Sequence, residues 1–331
     1  MAAPERELKR SVAIVPCFVF VELAILGGTA LLAYQLEFTD TFPVHVRGFF
    51  CGDPAYGKPY PGPPAASRAP PALVYALAAA VPTLTIVAGE LAGLLGGPRG
   101  GRDRTILWGE CCYLGPLLRR LVRFLGVFSF GLLATAIFAN AGQVVTGAPA
   151  PHFLAVCRPN YTALGCGPRR PPGAPPRFVP PAGAPCAGDP PLVAAARRAF
   201  PCKEAALGAY AAAYAAMYVT LGWGARGSRL AKPAAVLALA APPFLLGALR
   251  VAEHRNHWAD VLAGFLTGTA IAAFLVTCVV GNFQSKGGAA PRGGAGDGGA
   301  PAAPPELPRP QPPLEELSVT QARRAEFPAV T

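Results

Sequence analysis

The chain has 331 residues, of which 52% are hydrophobic and only 14% are charged. A soluble globular domain usually carries about 25% charged residues, so this composition excludes an ordinary soluble protein. The formal net charge is +11, but the basic residues lie beside long apolar runs and not on a basic, aromatic-studded helix. We therefore expect a membrane protein, with no nucleic acid among its partners.

A helix that crosses a bilayer needs about 20 mostly apolar residues. Six stretches of the chain meet this requirement: 12–34, 72–95, 121–145, 205–223, 234–251 and 261–283. We predict an all-α, six-span bundle over residues 12–283, preceded by a short segment at 1–11. The tail, 284–331, is rich in Gly, Pro and Ala and has no apolar periodicity, which predicts disorder.

Basic residues set the expected orientation of these spans. They cluster after the second and fourth spans: Arg99, Arg102, Arg104, Arg119, Arg120, Arg123, Arg226, Arg229 and Lys232. The positive-inside rule therefore places both termini and these two loops in the cytosol, with the first, third and fifth loops outside. The third loop, 146–204, holds a glycosylation sequon at Asn160 and a Pro/Gly-rich centre at 165–191 that we expect to be partly disordered.

The cysteines divide between the two sides of the predicted membrane. Four of them lie on outer loops, where disulfides are stable: Cys51, Cys157, Cys166 and Cys186. Four cysteines allow three pairings, and they could also be free thiols, so the sequence does not choose among these states. The basic inner loop holds Cys111 and Cys112, which are either palmitoylation sites or inert thiols.

Two carboxylates fall inside predicted spans, where charges are costly and usually have a role. Glu90 lies near the cytosolic end of the second span, so we expect it to be solvated. Glu22 lies near the middle of the first span and is expected to bond to another helix, in this chain or in a partner. A transporter is the weakest functional alternative, because no second-half copy of a broken helix indicates an inverted repeat.

Three polar segments stand at the predicted outer ends of the spans. They contain Gln143, Ala150 and Pro151; Pro201, Cys202, Lys203 and Glu204; and Arg250, Asn256 and Asp260. In this order and spacing, over residues 9–285, the segments resemble the motifs of the type 2 phosphatidic acid phosphatases, in their lipid phosphate phosphatase branch. Those motifs are Lys-x6-Arg-Pro, Pro-Ser-Gly-His and Ser-Arg-x5-His-x3-Asp. The resemblance implies a six-span bundle of the phosphatidic acid phosphatase and haloperoxidase-like class.

The resemblance also implies roles for the motif positions. In active members the last His is the nucleophile and its Asp orients it, while the second motif's His is the general acid and the cations hold the phosphate. In this chain four motif residues are retained: Pro151, Pro201, Arg250 and Asp260. The reactive positions are replaced by Gln143, Ala150, Cys202, Lys203, Glu204 and Asn256. This pattern of losses resembles the phospholipid phosphatase-related, or plasticity-related, proteins.

The chemistry of the losses can be argued from the residues themselves. The amide nitrogen of Asn256 has no available lone pair, so it cannot accept a phosphoryl group. Removing two cations at Gln143 and Ala150 and adding a carboxylate at Glu204 weakens the stabilisation of the transferring group. Two cations are present, the retained Arg250 and the replacement Lys203, and they could attract a lipid headgroup or pair with Glu204 or Asp260.

His257 is the rival nucleophile. If residues 250–260 are helical, Asn256 and Asp260 share a face at i, i+4, whereas His257 is turned about 100° away. On this helix Glu253 and His257 form a second i, i+4 pair. We therefore expect His257 to be a structural hydrogen-bonding residue.

The resemblance implies a non-catalytic neuronal plasma-membrane protein. It would modulate lipid-phosphate signalling, membrane protrusion and neurite growth through partners, as a homo- or hetero-oligomer with related family members. Lysophosphatidate or a related lipid phosphate is the expected lipid partner, and no metal or cofactor is expected. The alternative is a residual phosphatidate or lysophosphatidate phosphatase.

Overall fold

The computed structural model describes a chain of membrane-length helices and short connecting elements. The described residues are 4–39, 41–95, 106–108, 112–114, 116–166, 177–181, 185–222, 229–281 and 283. Several predictions concern residues outside these ranges: the tail at 284–331, Cys111, and much of the Pro/Gly-rich centre of the third loop. Cys112 lies in a strand, but its side chain is also outside the described set.

The described residues form eight α-helices and four short strands. The helices are α1 Pro4–Phe38, α2 Pro71–Leu95, α3 Pro116–Thr146, α4 Phe153–Cys157, α5 Pro190–Ala195, α6 Lys203–Met217, α7 Ala231–Ala252 and α8 Trp258–Phe274. The strands are β1 Phe49–Phe50, β2 Ile106–Trp108, β3 Cys112–Leu114 and β4 Phe178–Val179; β1 pairs with β4 and β2 with β3, both antiparallel.

Six of these helices are long and apolar enough to cross a membrane, which confirms the predicted six-span bundle. The predicted first span, 12–34, lies within α1, and the part of that helix whose side chains are described, Phe20–Phe38, is itself long and apolar enough to cross a membrane. The fourth and sixth spans end in π-helical turns at Tyr218–Gly222 and Leu275–Val280. The other boundaries fall within a few residues of the predicted ones.

The central helix of the bundle is α6, and its Ala-rich sequence has a packing reason. A Cβ added at Gly268 of α8 would lie 2.1 Å from the carbonyl oxygen of Ala206, and one at Gly264 would lie 2.5 Å from that of Cys202. Only small residues allow two backbones to approach this closely. The fourth span is only moderately hydrophobic because small residues allow the close contact of α6 with α8 and more than half of the span is buried inside the protein.

Three tyrosines at i, i+4 spacing anchor α6 to its neighbours. Tyr210 and Tyr214 are buried and donate hydrogen bonds of 2.9 Å to backbone carbonyls of α3. Tyr218, one turn further, donates to Ile86 of α2 at 3.3 Å. A buried hydroxyl that finds a carbonyl keeps an aromatic core free of unpaired polar groups.

The two intramembrane carboxylates differ in their surroundings. Glu90 is only 5% exposed, and it contacts the hydroxyl of Tyr218 at 3.0 Å and Nε of Arg120 at 3.4 Å. The prediction that Glu90 is solvated is therefore wrong, because α6 and α3 supply its partners inside the bundle. Glu22 is exposed on the surface of α1, and a bond from it to a partner chain stays a prediction.

One end of the bundle gathers the ends of α1, α3 and α7 and the beginnings of α2, α6 and α8. We call it the site end. Here the disulfide Cys51–Cys166 joins the first long loop to the third, and the β1–β4 pair adds hydrogen bonds between the same loops. The second disulfide, Cys157–Cys186, lies within the third loop. The sequence left three cysteine pairings open, and the structure has Cys51 with Cys166 and Cys157 with Cys186.

Candidate functional site

The motif positions converge at the site end. Gln143 lies in the last turn of α3, Glu204 in the first turn of α6 and Asp260 in the first turn of α8, while Arg250 lies in the last turn of α7. Asn256 lies in the connection between α7 and α8. We call the set of ten aligned positions the degenerate pocket: Gln143, Ala150, Pro151, Pro201, Cys202, Lys203, Glu204, Arg250, Asn256 and Asp260.

The guanidinium of Arg250 is engaged by two side chains of the pocket. Its Nη2 lies 3.2 Å from Oε2 of Glu204, and its Nε donates to Oδ1 of Asn256 at 2.8 Å. Glu204 and Asn256 are buried, and the Arg250 side chain is largely so. Glu204 thus neutralises the cation at the place where a phosphate would otherwise be its counter-ion.

Both polar atoms of the Asn256 side-chain amide are hydrogen-bonded. Its Oδ1 accepts from Arg250, and its Nδ2 donates to the carbonyl of Ala199 at 2.7 Å. The predicted helical face shared by Asn256 and Asp260 is wrong, because α7 ends at Ala252 and α8 begins only at Trp258. The chain leaves the helix at His254, whose φ is +56°.

The carboxylate of Asp260 caps the start of α8 and makes no contact with Asn256 of the kind that two residues four apart on one helix would make. Its Oδ2 accepts the backbone N–H of His257 at 2.9 Å and lies 3.4 Å from Nδ1 of the same residue. This reciprocal capping arrangement satisfies backbone donors that a helix start leaves unpaired.

Lys203 is paired with a carboxylate that the motif comparison did not include. Its Nζ lies 2.7 Å from Oε2 of Glu37, at the end of α1, and 5.3 Å from the ring of Tyr75. Asn140 of α3 also donates to Glu37, at 2.8 Å. Of the two alternatives for Lys203, the structure has the pairing with a carboxylate, and the partner is Glu37 instead of Glu204 or Asp260.

Glu37 and Asn140 are site residues that the sequence reasoning missed. Asn140 is a polar residue inside the predicted third span, and such a residue usually has a partner. Glu37 lies beyond the end of the predicted first span, 12–34, so it carried no such signal. Their location in two different helices meant that no motif spacing connected them to Lys203.

The neutral motif positions bind backbone groups. Gln143 donates from Nε2 to the carbonyl of Pro201 at 3.0 Å, and the N–H of Ala150 donates to the carbonyl of Ala196 at 2.8 Å.

Cys202 is fully buried, and this burial raises the pKa of its thiol to about 12. A thiol in that state is not a nucleophile at neutral pH, because nucleophilic attack requires the thiolate.

His257 is engaged at both ring nitrogens. Nδ1 faces Asp260, Nε2 lies 3.3 Å from the carbonyl oxygen of Ala55, and the ring packs edge-on against Tyr56. The hydrogen bond with Asp260 raises the pKa of His257 above its usual value. The predicted pair of His257 with Glu253 is absent; Glu253 instead binds Ser67 at 2.7 Å.

Residues 51–67 of the first long loop run across the segments that carry the motifs, and we call them the strap. Besides the contacts of Ala55 and Tyr56 with His257, Lys58 donates its N–H to the carbonyl of Pro151 at 2.9 Å. Further along, Arg255 donates to the carbonyl of Pro63 at 3.2 Å. The strap thus connects the first loop to both the Pro151 segment and the turn before α8.

Asn160 is exposed and lies between the disulfide cysteines 157 and 166. Its Oδ1 accepts the N–H of Ala163 at 3.1 Å, so the sequon occupies a compact turn of the site end. The side-chain nitrogen is the atom that a glycosyltransferase would modify, and the residue's exposure leaves it accessible.

The ion pair at the centre of the pocket yields a stability prediction. Arg250→Met and Glu204→Leu should each lower the thermal midpoint of the detergent-solubilised protein, since removing one partner of a buried pair costs about 3–5 kcal/mol. The double variant should lose less than the sum of the two single variants, because no unpaired charge remains. Lys58→Met, which removes an exposed cation at the same end, is the control. Strict additivity of the two single losses would contradict this prediction.

Comparison with known proteins places the chain in a family. The PAP2 superfamily model matches residues 124–284. The chain is 67% identical over 294 residues to phospholipid phosphatase-related protein type 2 of Rattus norvegicus, covering 86% of this chain and 85% of the rat protein. It is 53% identical over 278 residues to the type 5 protein of Homo sapiens, covering 83% and 84% of the two chains. With the type 1 protein of Danio rerio the identity is 50% over 279 residues, covering 83% of this chain and 82% of the fish protein.

No solved structure matches the chain. The identities and their coverage agree with the resemblance drawn from the motif positions, which is thereby confirmed. The chain belongs to the phospholipid phosphatase-related proteins of the PAP2 superfamily.

Proposed function

We propose that this protein is a catalytically inactive member of its superfamily that modulates lipid-phosphate signalling and membrane protrusion through partners. The observation that carries the proposal is the contact of Arg250 with Glu204 and Asn256. These two residues occupy the positions of the general acid and the nucleophile in active relatives. The carboxylate of Glu204, paired with Arg250, has no proton to give and repels a phosphate, and the amide of Asn256 has no lone pair for an attack on phosphorus.

The charge distribution of the pocket supports the same proposal. Arg250 contacts Glu204, Lys203 contacts Glu37, and Asp260 adds a further carboxylate beside His257. Phosphoryl transfer depends on cations gathered around the transferring group. Here each of the two cations has a carboxylate at hydrogen-bonding distance, so an incoming phosphate must compete with groups that are already in place.

The runner-up function is a residual lipid phosphate phosphatase with His257 as the nucleophile. His257 is the one imidazole beside the retained Asp260 among the described residues. Against this role, its Nε2 faces the carbonyl of Ala55 and its ring packs on Tyr56. A nitrogen that donates to a carbonyl has no free lone pair for phosphorus, which favours a structural role in holding the strap.

Catalytic silence can be tested by phosphate release from lysophosphatidate, with an active lipid phosphate phosphatase as positive control. The purified wild type should be indistinguishable from a protein-free blank, because the nucleophile, the acid and two of the phosphate-binding cations are replaced, and the cation that is kept, Arg250, is paired with Glu204. Asn256→His alone should not create activity, since Glu204 and the neutral Gln143 and Ala150 remain. Robust release by the wild type that His257→Ala abolishes would overturn the proposal and make His257 the nucleophile.

We also propose that the site end faces the outside of the plasma membrane, with both termini in the cytosol. The described basic residues at the opposite end of the bundle, Arg119, Arg120 and Arg123 of α3 and Lys232 of α7, support this orientation. The two disulfides at the site end and the exposed sequon at Asn160 support it too. In this topology Cys111 and Cys112 are on the cytosolic side, where palmitoylation is possible. Assembly with copies of itself or with family members belongs to the same proposal.

The topology makes a direct prediction for protein expressed in animal cells. Glycosidase treatment should shift the wild-type band on a gel, and Asn160→Gln should migrate at the shifted position without treatment. An antibody against residues 300–331 should stain only permeabilised cells. Staining of intact cells by that antibody, or an unchanged band after treatment, would contradict the proposed orientation.

A further inference from the structure

A second feature lies on the side of the bundle and shares no lining residue with the degenerate pocket. A groove of about 380 Å³ runs between α2, α6 and α7. Its walls are aliphatic side chains and small residues, among them Leu73, Val81, Gly208, Ala238 and Leu246. The volume falls in the range of about 300–1,000 Å³ that is typical of ligand pockets.

The sequence explains why the three helices leave this space. α6 presents Gly208, Ala211 and Ala212 to the groove, and these residues have too little side chain to fill it. On the facing wall α7 carries the consecutive Pro242 and Pro243, and a Cβ added at Gly208 would lie 3.1 Å from the Cβ of Pro243. The helices therefore touch at Gly208, and the small residues beyond the contact leave the groove open.

The groove lies within spans that cross the membrane. The lining residues of α2, α6 and α7 fall in the spans Pro71–Gly93, Lys203–Gly222 and Ala231–Ala252. Side chains at its edges, including Leu77 and Leu245, are about half or more exposed and so face the surrounding lipid. An apolar cavity excludes water, so in a bilayer the available occupant is hydrocarbon.

The site end of the groove has a different chemistry. The lining begins at Ala69, and the preceding Arg68 is exposed before the start of α2. The carboxylate of Glu253 accepts from Ser67 Oγ at 2.7 Å and from the N–H of Arg68 at 3.2 Å, which ties the ends of α2 and α7 together. Arg68 thus stands one residue before Ala69 of the lining, and a guanidinium near that end of an apolar groove would be complementary to a phosphate diester above an acyl chain.

We propose that this groove binds one acyl chain of a bilayer phospholipid, with the phosphate of that lipid at Arg68. The lipid comes from the leaflet on the site side and lies beside the degenerate pocket, whose Arg250 and Glu204 are not among the groove's lining residues. The site is therefore independent of whether the pocket retains any catalytic or phosphate-binding capacity.

The test uses the full chain reconstituted into phosphatidylcholine vesicles that contain a small fraction of phosphatidylcholine with a photoreactive diazirine in one acyl chain. After irradiation, labelled peptides are mapped by mass spectrometry. The groove segments of α2, α6 and α7 should be labelled several-fold more than the equally exposed surfaces of α1 and α8. Uniform labelling of all lipid-facing helices would overturn the proposal, because it would show only ordinary contact with bulk lipid.

A matched pair of variants isolates the groove. Ala238→Trp fills it, whereas Ala240→Trp adds the same bulk at an exposed position of α7 that does not line it. Labelling of the groove segments should fall several-fold in Ala238→Trp and stay at the wild-type level in Ala240→Trp. Should Ala238→Trp fail to fold, Ala212→Leu fills the opposite wall. Equal labelling in the filled and control variants would contradict the proposal.

Two further arms identify the headgroup contact and the source of the lipid. Arg68→Glu should reduce groove labelling, because a carboxylate repels the phosphate, while Lys58→Glu should not. Lysophosphatidate added from water should leave the labelling unchanged. Displacement of the label by lysophosphatidate would mean that the groove holds the tail of a soluble lysolipid, which would overturn the assignment to a bilayer phospholipid.

Discussion

The ion pair between Arg250 and Glu204 is the interaction on which the site end depends. It joins the last turn of α7 to the first turn of α6, and through the Nε of Arg250 it also fixes Asn256 in the turn before α8. A cation buried among helix ends needs a counter-charge, because leaving it unpaired costs several kcal/mol. In an active phosphatase the substrate can supply that charge. Here the protein supplies it, and the pocket is complete without a ligand.

The same logic extends around the pocket. Lys203 draws its counter-charge from Glu37 of α1, so the first span is tied to the fourth, and Asn140 adds α3 to the network. His257 and Asp260 cap α8 while they hold the strap. Lys203, His257 and Asp260 thus each connect structural elements. We infer that the superfamily scaffold was kept because its polar centre also joins the helices.

The sequence was sufficient for the six spans because a 20-residue apolar run has few alternatives in a chain of this composition. It also predicted that the three motif segments lie at one end. It could not predict the pairing of Lys203 with Glu37, because partners in different helices leave no spacing pattern. The helical interpretation of residues 250–260 was wrong because His254 adopts a positive φ, which local periodicity does not reveal. The predicted solvation of Glu90 was wrong because its position near the end of the span does not reveal its partners inside the bundle, Arg120 and Tyr218.

Binding of inorganic phosphate to the purified protein tests the central claim most directly, because it depends on the pocket's charge and not on chemistry. Titration calorimetry should detect no binding to the wild type, in which Glu204 already neutralises Arg250. Glu204→Gln keeps the size of the side chain and removes its charge, so it should gain measurable phosphate binding that the further change Arg250→Met abolishes. Phosphate binding by the wild type that is as tight as binding by Glu204→Gln would contradict the account.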